Sequence, residues 1–251
     1  MSNKLSVTII TKNEESNIER CLESVKWADE IVVVDSDSID KTVEICRKYN
    51  CRIIQTEWLG FGKTKQKAVN TAKYNWIFSI DADEEVTPQL QKKMQSILKN
   101  PRADGYRINR RSFYLDRWIQ HCGWNKDFPL RLFNRQKGGF NDKPVHESVQ
   151  IKGKISKINE ILKHYTYPDL TSYINKMEHY SSLSAADASN KKQNASVNKA
   201  VVHGISKFFE MYFLKAGFLD GKTGLILSIN SAFSVYYKYL KIWEKTKSDK
   251  N

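Results

Sequence analysis

The chain has 251 residues, 40% of them hydrophobic and 12% aromatic, which is enough apolar content for a packed core and excludes global disorder. Its net charge of +13 points to an anionic partner: nucleic acid, a membrane surface or a phosphorylated acceptor. Cys21, Cys46, Cys51 and Cys122 lack metal-site spacing and fit buried thiols in a reducing compartment better than a disulfide framework.

The first residues run straight into an apolar strand pattern, without a signal peptide of the usual build. Leu5 to Ile10 reads as a strand, and Ser16 to Val25 as a helix with Ser16 or Asn17 as its cap. Glu30 to Val34 is a second strand, Asp40 to Tyr49 a second helix, and Cys51 to Gln55 a third strand. Residues 63–73 form a basic helix. Trp76 to Ile80 is a buried strand, and Thr87-Pro88 caps and opens the next helix, whose apolar set is Leu90, Met94, Ile97 and Leu98. Strands alternating with short helices predict βαβ units and a mainly parallel sheet.

Beyond residue 100 the period changes. Gly105 to Asn109 and Leu130 to Phe133 alternate as strands, with an aromatic excursion from Phe113 to Trp124 between them. From Leu170 the chain reads helical, through a polar segment at Ser189 to Asn198, to an aromatic and basic tail. No apolar stretch reaches the roughly 18 residues that a membrane span requires. The run from Thr223 to Tyr237 is interrupted by Ser228, Asn230, Ser231 and Ser234.

Charge is uneven along the chain. Residues 1–98 carry 14 basic and 15 acidic side chains, whereas residues 99–165 carry 15 and 6. The tail, residues 200–251, carries 8 and 4. A tail mixing Phe208, Phe209, Tyr212 and Phe213 with Lys207, Lys215, Lys238, Lys241 and Lys245 suits either an in-plane contact with an anionic membrane or a helical subdomain packed on the core.

In open parallel sheets, ligands bind beyond the C-terminal strand ends. Three polar clusters fall at such ends: Thr11-Lys12-Asn13-Glu14, Asp35-Ser36-Asp37-Ser38 and Asp81-Ala82-Asp83. Strand alternation puts Asp81 and Asp83 on one face, where their oxygens can hold a hard divalent cation and, through it, a diphosphate. The first strand–helix turn has no glycine fingerprint, which disfavours a dinucleotide-dependent oxidoreductase.

With these motifs the chain resembles the family 2 inverting glycosyltransferases of the GT-A fold. The matching pieces are Ser6 to Glu15, Glu30 to Ser36 and Trp76 to Glu84. The later segments Gly60-Phe61-Gly62, Arg131-Leu132-Phe133, Val145-His146-Glu147 and Gly217 to Gly221 resemble bacterial lipopolysaccharide inner-core β-1,4-glucosyltransferases. The resemblance implies an α/β fold: a Rossmann-like mixed sheet flanked by helices that binds a nucleotide-sugar, with a C-terminal helical extension. The expected division is a catalytic domain over 1–165 and a helical C-terminal region over 166–251, membrane-associating in one of the two readings of its tail.

The same resemblance implies that Thr11, Asn13, Glu14, Asp35, Lys65 and Asp81 bind the nucleotide-sugar, Asp35 reading the nucleobase. Asp81, Asp83 and His164 would hold Mg²⁺ or Mn²⁺, His164 following an apparent strand end at Ile161-Leu162-Lys163. Glu147, or else Asp127, would take the acceptor's proton. The implied activity is metal-dependent transfer of a hexose, glucose from a UDP-sugar, to an anionic lipopolysaccharide inner-core acceptor. The implied place is the cytoplasm, peripheral to the inner membrane. Departures from the family pattern are Asp37 for a glycine, Ile39 for a threonine and Gln66 for an asparagine. Open alternatives are another transferase of cell-surface glycan or lipid-linked sugar synthesis, a nucleotidyltransferase, and a non-catalytic basic membrane- or RNA-binding protein on the same fold. Donor sugar, nucleotide, linkage and oligomeric state are not encoded in these motifs.

Overall fold

A computed structural model of the chain describes residues 3–142, 147–190 and 195–248, with backbone alone at 186, 187, 189, 190, 247 and 248. In chain order the elements are β1 (Leu5–Thr11), α1 (Ile18–Val25), β2 (Glu30–Asp35), α2 (Thr42–Lys48), β3 (Arg52–Gln55), α3 (Phe61–Thr71), β4 (Trp76–Asp81), β5 (Glu84–Val86), α4 (Pro88–Lys99), β6 (Gly105–Tyr114), β7 (Arg117–Trp118), β8 (Leu130–Asn134), β9 (Gly138–Phe140), β10 (Val149–Ile151), β11 (Ile155–Tyr167), α5 (Leu170–Asn190), α6 (Val197–Phe209) and α7 (Gly221–Ser248). A π-helical turn (Glu210–Leu214) and a 3₁₀ turn (Gly217–Asp220) join α6 to α7.

The chain divides into two compact units. The first holds residues 1–110 and 127–164, the second 111–126 and 165–251. Residues 111–126 thus group with residues 165–251 and not with the stretches that flank them in sequence.

In the first unit, strands run in the order β3-β2-β1-β4-β8-β6-β11-β5. β1 pairs in parallel with β2 and β4, and β2 with β3, whereas β4–β8, β8–β6 and β11–β5 are antiparallel. The sheet is mixed, as the family resemblance implied, rather than mainly parallel as the alternating pattern predicted, because the strands after α4 join it antiparallel. β1 and β4 are buried on both sides because helices cover both faces. Val33, Phe78 and Ile80 pack with Ile18, Leu22, Leu90 and Met94 on one side. Val32 and Ile77 pack with Val69 and Ala72 of α3 on the other.

Local signals account for the helix starts in part. Thr87 Oγ1 accepts from the Leu90 amide and Pro88 opens α4, as predicted. Asn17 occupies the N-cap of α1 but makes no side-chain cap bond, its amide donating to Glu14 instead. His164 lies inside β11, which continues to Tyr167, not at a strand end.

The second unit has a core of Tyr114, Ile119, Cys122, Tyr173, Met177, Met211 and Leu227. Asp220, almost fully buried, fastens residues 117–121 to the 3₁₀ turn. Its carboxylate accepts from the amides of Gln120 and His121, and its carbonyl accepts from Arg117 Nη1. No helix among the described residues is long and apolar enough to cross a membrane.

Candidate active site

Parallel register brings the three polar clusters together. Thr11 sits opposite Asp35, and Ile10 opposite Asp81, so β1, β2 and β4 end side by side. Asp35 is fully buried and accepts from both the amide and the hydroxyl of Ser38. This tightens the 35–38 turn, in which Asp37 takes φ +57°. Asp37, where the resemblance expects a glycine, thus adopts a left-handed conformation that Asp tolerates better than most residues.

Asn13 and Glu14 tie the first loop to the second. The Asn13 amide donates to Ser38 Oγ (2.8 Å) and its Oδ1 accepts from the Ile39 amide (2.9 Å). The Glu14 amide donates to Thr42 Oγ1 (2.8 Å). Ile39 itself is exposed. Thr11 Oγ1 and Ser36 Oγ are buried without a hydrogen-bond partner at the same edge. An unsatisfied buried hydroxyl costs about 1–3 kcal/mol, so a pair of them at the C-terminal edge marks a place prepared for a polar ligand.

A network of buried charges adjoins Asp81. Lys65 Nζ bridges Asp81 Oδ1 (2.9 Å) and Glu147 Oε1 (2.7 Å). Arg131 Nη2 contacts both Asp81 and Glu84, the latter at 2.7 Å. Arg110 reaches Glu84 (3.0 Å) through Nη1 and Asp127 (2.7 Å) through Nε. Glu84, fully buried, also accepts from the Asp81 amide (3.0 Å). Burial alone would raise the Asp81 carboxyl, but Arg131 and Lys65 outweigh it and hold the group well below the usual carboxylate range. Burial likewise opposes the charge on Arg131 and Arg110, and the surrounding carboxylates push both groups upward.

Asp83 stands apart from this network. β5 and β11 pair with His164 opposite Glu84, and this register brings His164 Nε2 within 3.4 Å of Asp83 Oδ2. Among the described residues, no group of three or more His, Cys, Asp or Glu side chains is arranged to hold a metal ion. Mg²⁺ and Mn²⁺ bound with phosphates need fewer protein ligands, because phosphate oxygens and water fill most positions. One carboxylate and one imidazole, both mostly buried and adjacent, fit an ion carried in with a diphosphate. Asp81 has its oxygens engaged by Lys65 and Arg131.

The predicted residues therefore fall into three groups. Thr11, Asn13, Glu14 and Asp35 line one part of the edge, Lys65, Asp81, Glu147 and Asp127 share the ion network, and Asp83 meets His164. Val145 and His146 lie outside the described residues. Glu84, Arg110 and Arg131 were not singled out as site residues. The available signal was a charged residue placed within an otherwise apolar strand, as in Leu130-Arg131-Leu132-Phe133. The missed consequence is that Arg131 and Glu84 neutralise each other in the core beneath the Asp81 motif.

Residues 6–159 match the model of "Glycosyl transferase family 2". An uncharacterized glycosyltransferase of Rickettsia conorii is 30% identical over the whole of this chain and 94% of its own length. The lipopolysaccharide core biosynthesis glycosyltransferase LpsC of Rhizobium meliloti is 27% identical, with 94% of this chain and 93% of LpsC covered. Among solved structures, residues 1–349 of S. aureus TarS superpose with a TM-score of 0.50 at 15% identity, covering 98% of this chain and 92% of that one. That likeness supports the GT-A architecture and no more.

Proposed function

The chain belongs to glycosyl transferase family 2, and from that premise we propose that it transfers a hexose, glucose from a UDP-sugar, with inversion onto a lipopolysaccharide inner-core acceptor. The observation that carries the reading is the shared strand edge: a buried carboxylate with two orphaned hydroxyls beside it, next to a cation-rich acidic motif. The likeness to LpsC supports the acceptor class, and the basic excess of residues 99–165 suits a phosphorylated acceptor.

In this reading Asp35 hydrogen-bonds the nucleobase, and the hydroxyls of Thr11 and Ser36 gain partners from the nucleoside. Asn13 and Glu14 hold the two loops at the separation the nucleoside needs. Lys65, already between Asp81 and Glu147, faces the diphosphate with its cation. Asp83 and His164 would hold Mg²⁺ or Mn²⁺, which when bound neutralises charge on the departing diphosphate. Glu147 accepts the proton of the acceptor hydroxyl as its oxygen attacks the anomeric carbon and the bond to the diphosphate breaks. Asp127 is the second candidate for that base. A single displacement of this kind converts an α-linked donor into a β-linked product. The work is placed at the cytoplasmic face of the inner membrane, where a lipid-borne core would be built.

The test is a panel of UDP-, GDP- and dTDP-hexoses incubated with the protein and Mn²⁺ or Mg²⁺. Metal-dependent release of free nucleoside diphosphate, greatest with a UDP-hexose and stimulated by an inner-core acceptor, is expected. Release of pyrophosphate, or turnover indifferent to excess chelator, overturns the reading.

A further inference from the structure

The helical unit carries a surface that the glycosyl-transfer chemistry does not use. On α6, Val197, Val201, Ile205 and Phe209 recur every four residues and all are exposed. On α7, Leu225, Ile229 and Phe233 do the same. Monomeric soluble proteins seldom leave so continuous an apolar stripe in water.

The two stripes lie on one flank. Gly204 of α6 is set against Ala232 and Tyr236 of α7, His203 stacks on Tyr239, and Lys199 lies over the same ring. Rising numbers on one helix meet falling numbers on the other, so the pair is antiparallel. The inward residues of α6 are Ala200 and Gly204, and the exposed Val201 and Ile205 follow each by one position. Phe233 likewise follows Ala232 by one. A single step turns about 100° around a helix. In an antiparallel pair that step carries the side chains of both helices to the same side.

At the end of this flank the connection between the helices protrudes. Leu214 is 83% exposed, and Phe213, Phe218 and Leu219 are each more than half as exposed as in an open chain or close to it. Lys207 and Lys215 both pair with Glu210 across the turn, and Lys222 follows on the exposed first turn of α7. The remaining acid of the tip, Asp220, is buried on backbone amides. The tip is thus apolar with a positive border.

We propose that this flank and its tip insert into the interfacial layer of a membrane containing anionic lipid, with the α6–α7 pair lying in the membrane plane. The inference rests on the reading above insofar as a lipid-borne acceptor brings the protein to a bilayer. A second copy of the chain is the competing occupant. Twofold self-contact would set the positive border against itself, a like-charge cost that an anionic headgroup layer turns into attraction. The apolar stripe also changes what the lysines do. Lys241 is held by Glu178 and Ser182 inside the helical unit, and therefore is not one of the membrane-facing charges that the sequence pattern suggested.

The experiment is flotation of the full chain with vesicles of phosphatidylethanolamine and phosphatidylglycerol, beside vesicles of phosphatidylcholine alone, at low and at molar salt. Wild type should float best with the anionic vesicles and keep a large bound fraction at molar salt, because insertion of apolar area is not screened as exposed charges are. Leu214→Asp with Leu219→Asp should lower binding about tenfold or more. Melting temperature and donor hydrolysis should stay at wild-type values, since both side chains are exposed. Phe218→Asp serves as an independent variant and should weaken binding in the same direction. Unchanged flotation of these variants, full release of wild type by salt, or a dimer in solution that Leu214→Asp disperses would each overturn the proposal. Flotation without any nucleoside diphosphate release would defeat the transferase reading and leave the surface standing. Donor hydrolysis without flotation would do the reverse.

Discussion

Replacing Arg131 by methionine tests the reasoning about the buried charge network. The residue is 5% exposed and one of its side-chain nitrogens meets both Asp81 and Glu84. Methionine fills similar volume but leaves Glu84, which is wholly buried, with Arg110 as its cation at 3.0 Å, and Asp81 with Lys65 at 2.9 Å. Removing one partner of a buried ion pair costs roughly 3–5 kcal/mol. The lower end applies, because both carboxylates keep one cation and because Arg131 Nε is buried without a partner in the native state. For a protein of this length each kcal/mol moves the melting temperature by about 2–4 °C, so a fall of roughly 6–12 °C is expected by calorimetry at neutral pH.

The pH dependence sharpens the test. Asp81 is held below its unfolded pKa, so its contribution is present above about pH 4 and is lost as pH falls through the lower folded value. In Arg131→Met the chief lowering charge is gone, so the Asp81 carboxyl takes a proton at higher pH and relieves its own burial. The gap between wild type and variant should therefore narrow as pH falls below about 4. Glu84→Gln combined with Arg131→Met should cost less than the two single changes added together. A melting temperature within about 2 °C of wild type, or a gap that does not change with pH, would refute the account.

Glu147→Gln should slow transfer to acceptor by about 10²–10⁴-fold while donor affinity by calorimetry stays near wild type; if Asp127→Asn shows that signature instead, the base is Asp127. Asp83→Ala and His164→Gln should both abolish the Mn²⁺ or Mg²⁺ dependence of donor binding, and unaltered metal dependence in both would remove them as ligands. Asp35→Ala should weaken donor binding by roughly 1–3 kcal/mol in titration, with little effect on turnover of bound donor. Burial pushes the Tyr173 phenol up to about 12, so its contribution is complete below pH 10 and disappears as pH rises from about 10 to about 12. Unfolding free energy, followed by the helical signal in denaturant, should fall over that range by roughly 2–3 kcal/mol, and Tyr173→Phe should flatten the loss; equal alkaline slopes in the two proteins would count against it.

Much of the catalytic unit was legible in the sequence because its parallel strands are buried on both faces and read as unbroken apolar runs. β1, β2 and β4 stand where those runs lie, and the polar residues that follow them converge at one edge because the register is parallel. What could not be read was partnership across the sheet. Arg131 of β8 and Glu84 of β5 lie 47 positions apart and meet only in the folded sheet. β11 was missed over most of its length because Lys157, Glu160 and Lys163 interrupt the apolar alternation of a half-exposed strand. His164 was consequently placed at a strand end, although its meeting with Asp83 follows from pairing in mid-strand. Lys241 looked like a solvent-facing cation because the sequence does not show that α5 supplies Glu178 and Ser182 beside it.

Residues 111–126 have a consequence for recombination among relatives. They are inserted between two stretches of the catalytic unit, yet Leu115 donates to the Tyr167 carbonyl, Thr223 donates to Asp116, and Asp220 receives the amides of 120 and 121. Consider a C-terminal helical region exchanged at residue 165 for one that has no acid at the position of Asp220. The amides of residues 120 and 121 would then lose their acceptor, at the usual cost of about 1–3 kcal/mol for an orphaned buried group. Functional chimeras should therefore require both crossover segments to move together, so that acceptance of a new tail by the catalytic unit becomes a two-site inheritance rather than a simple C-terminal swap.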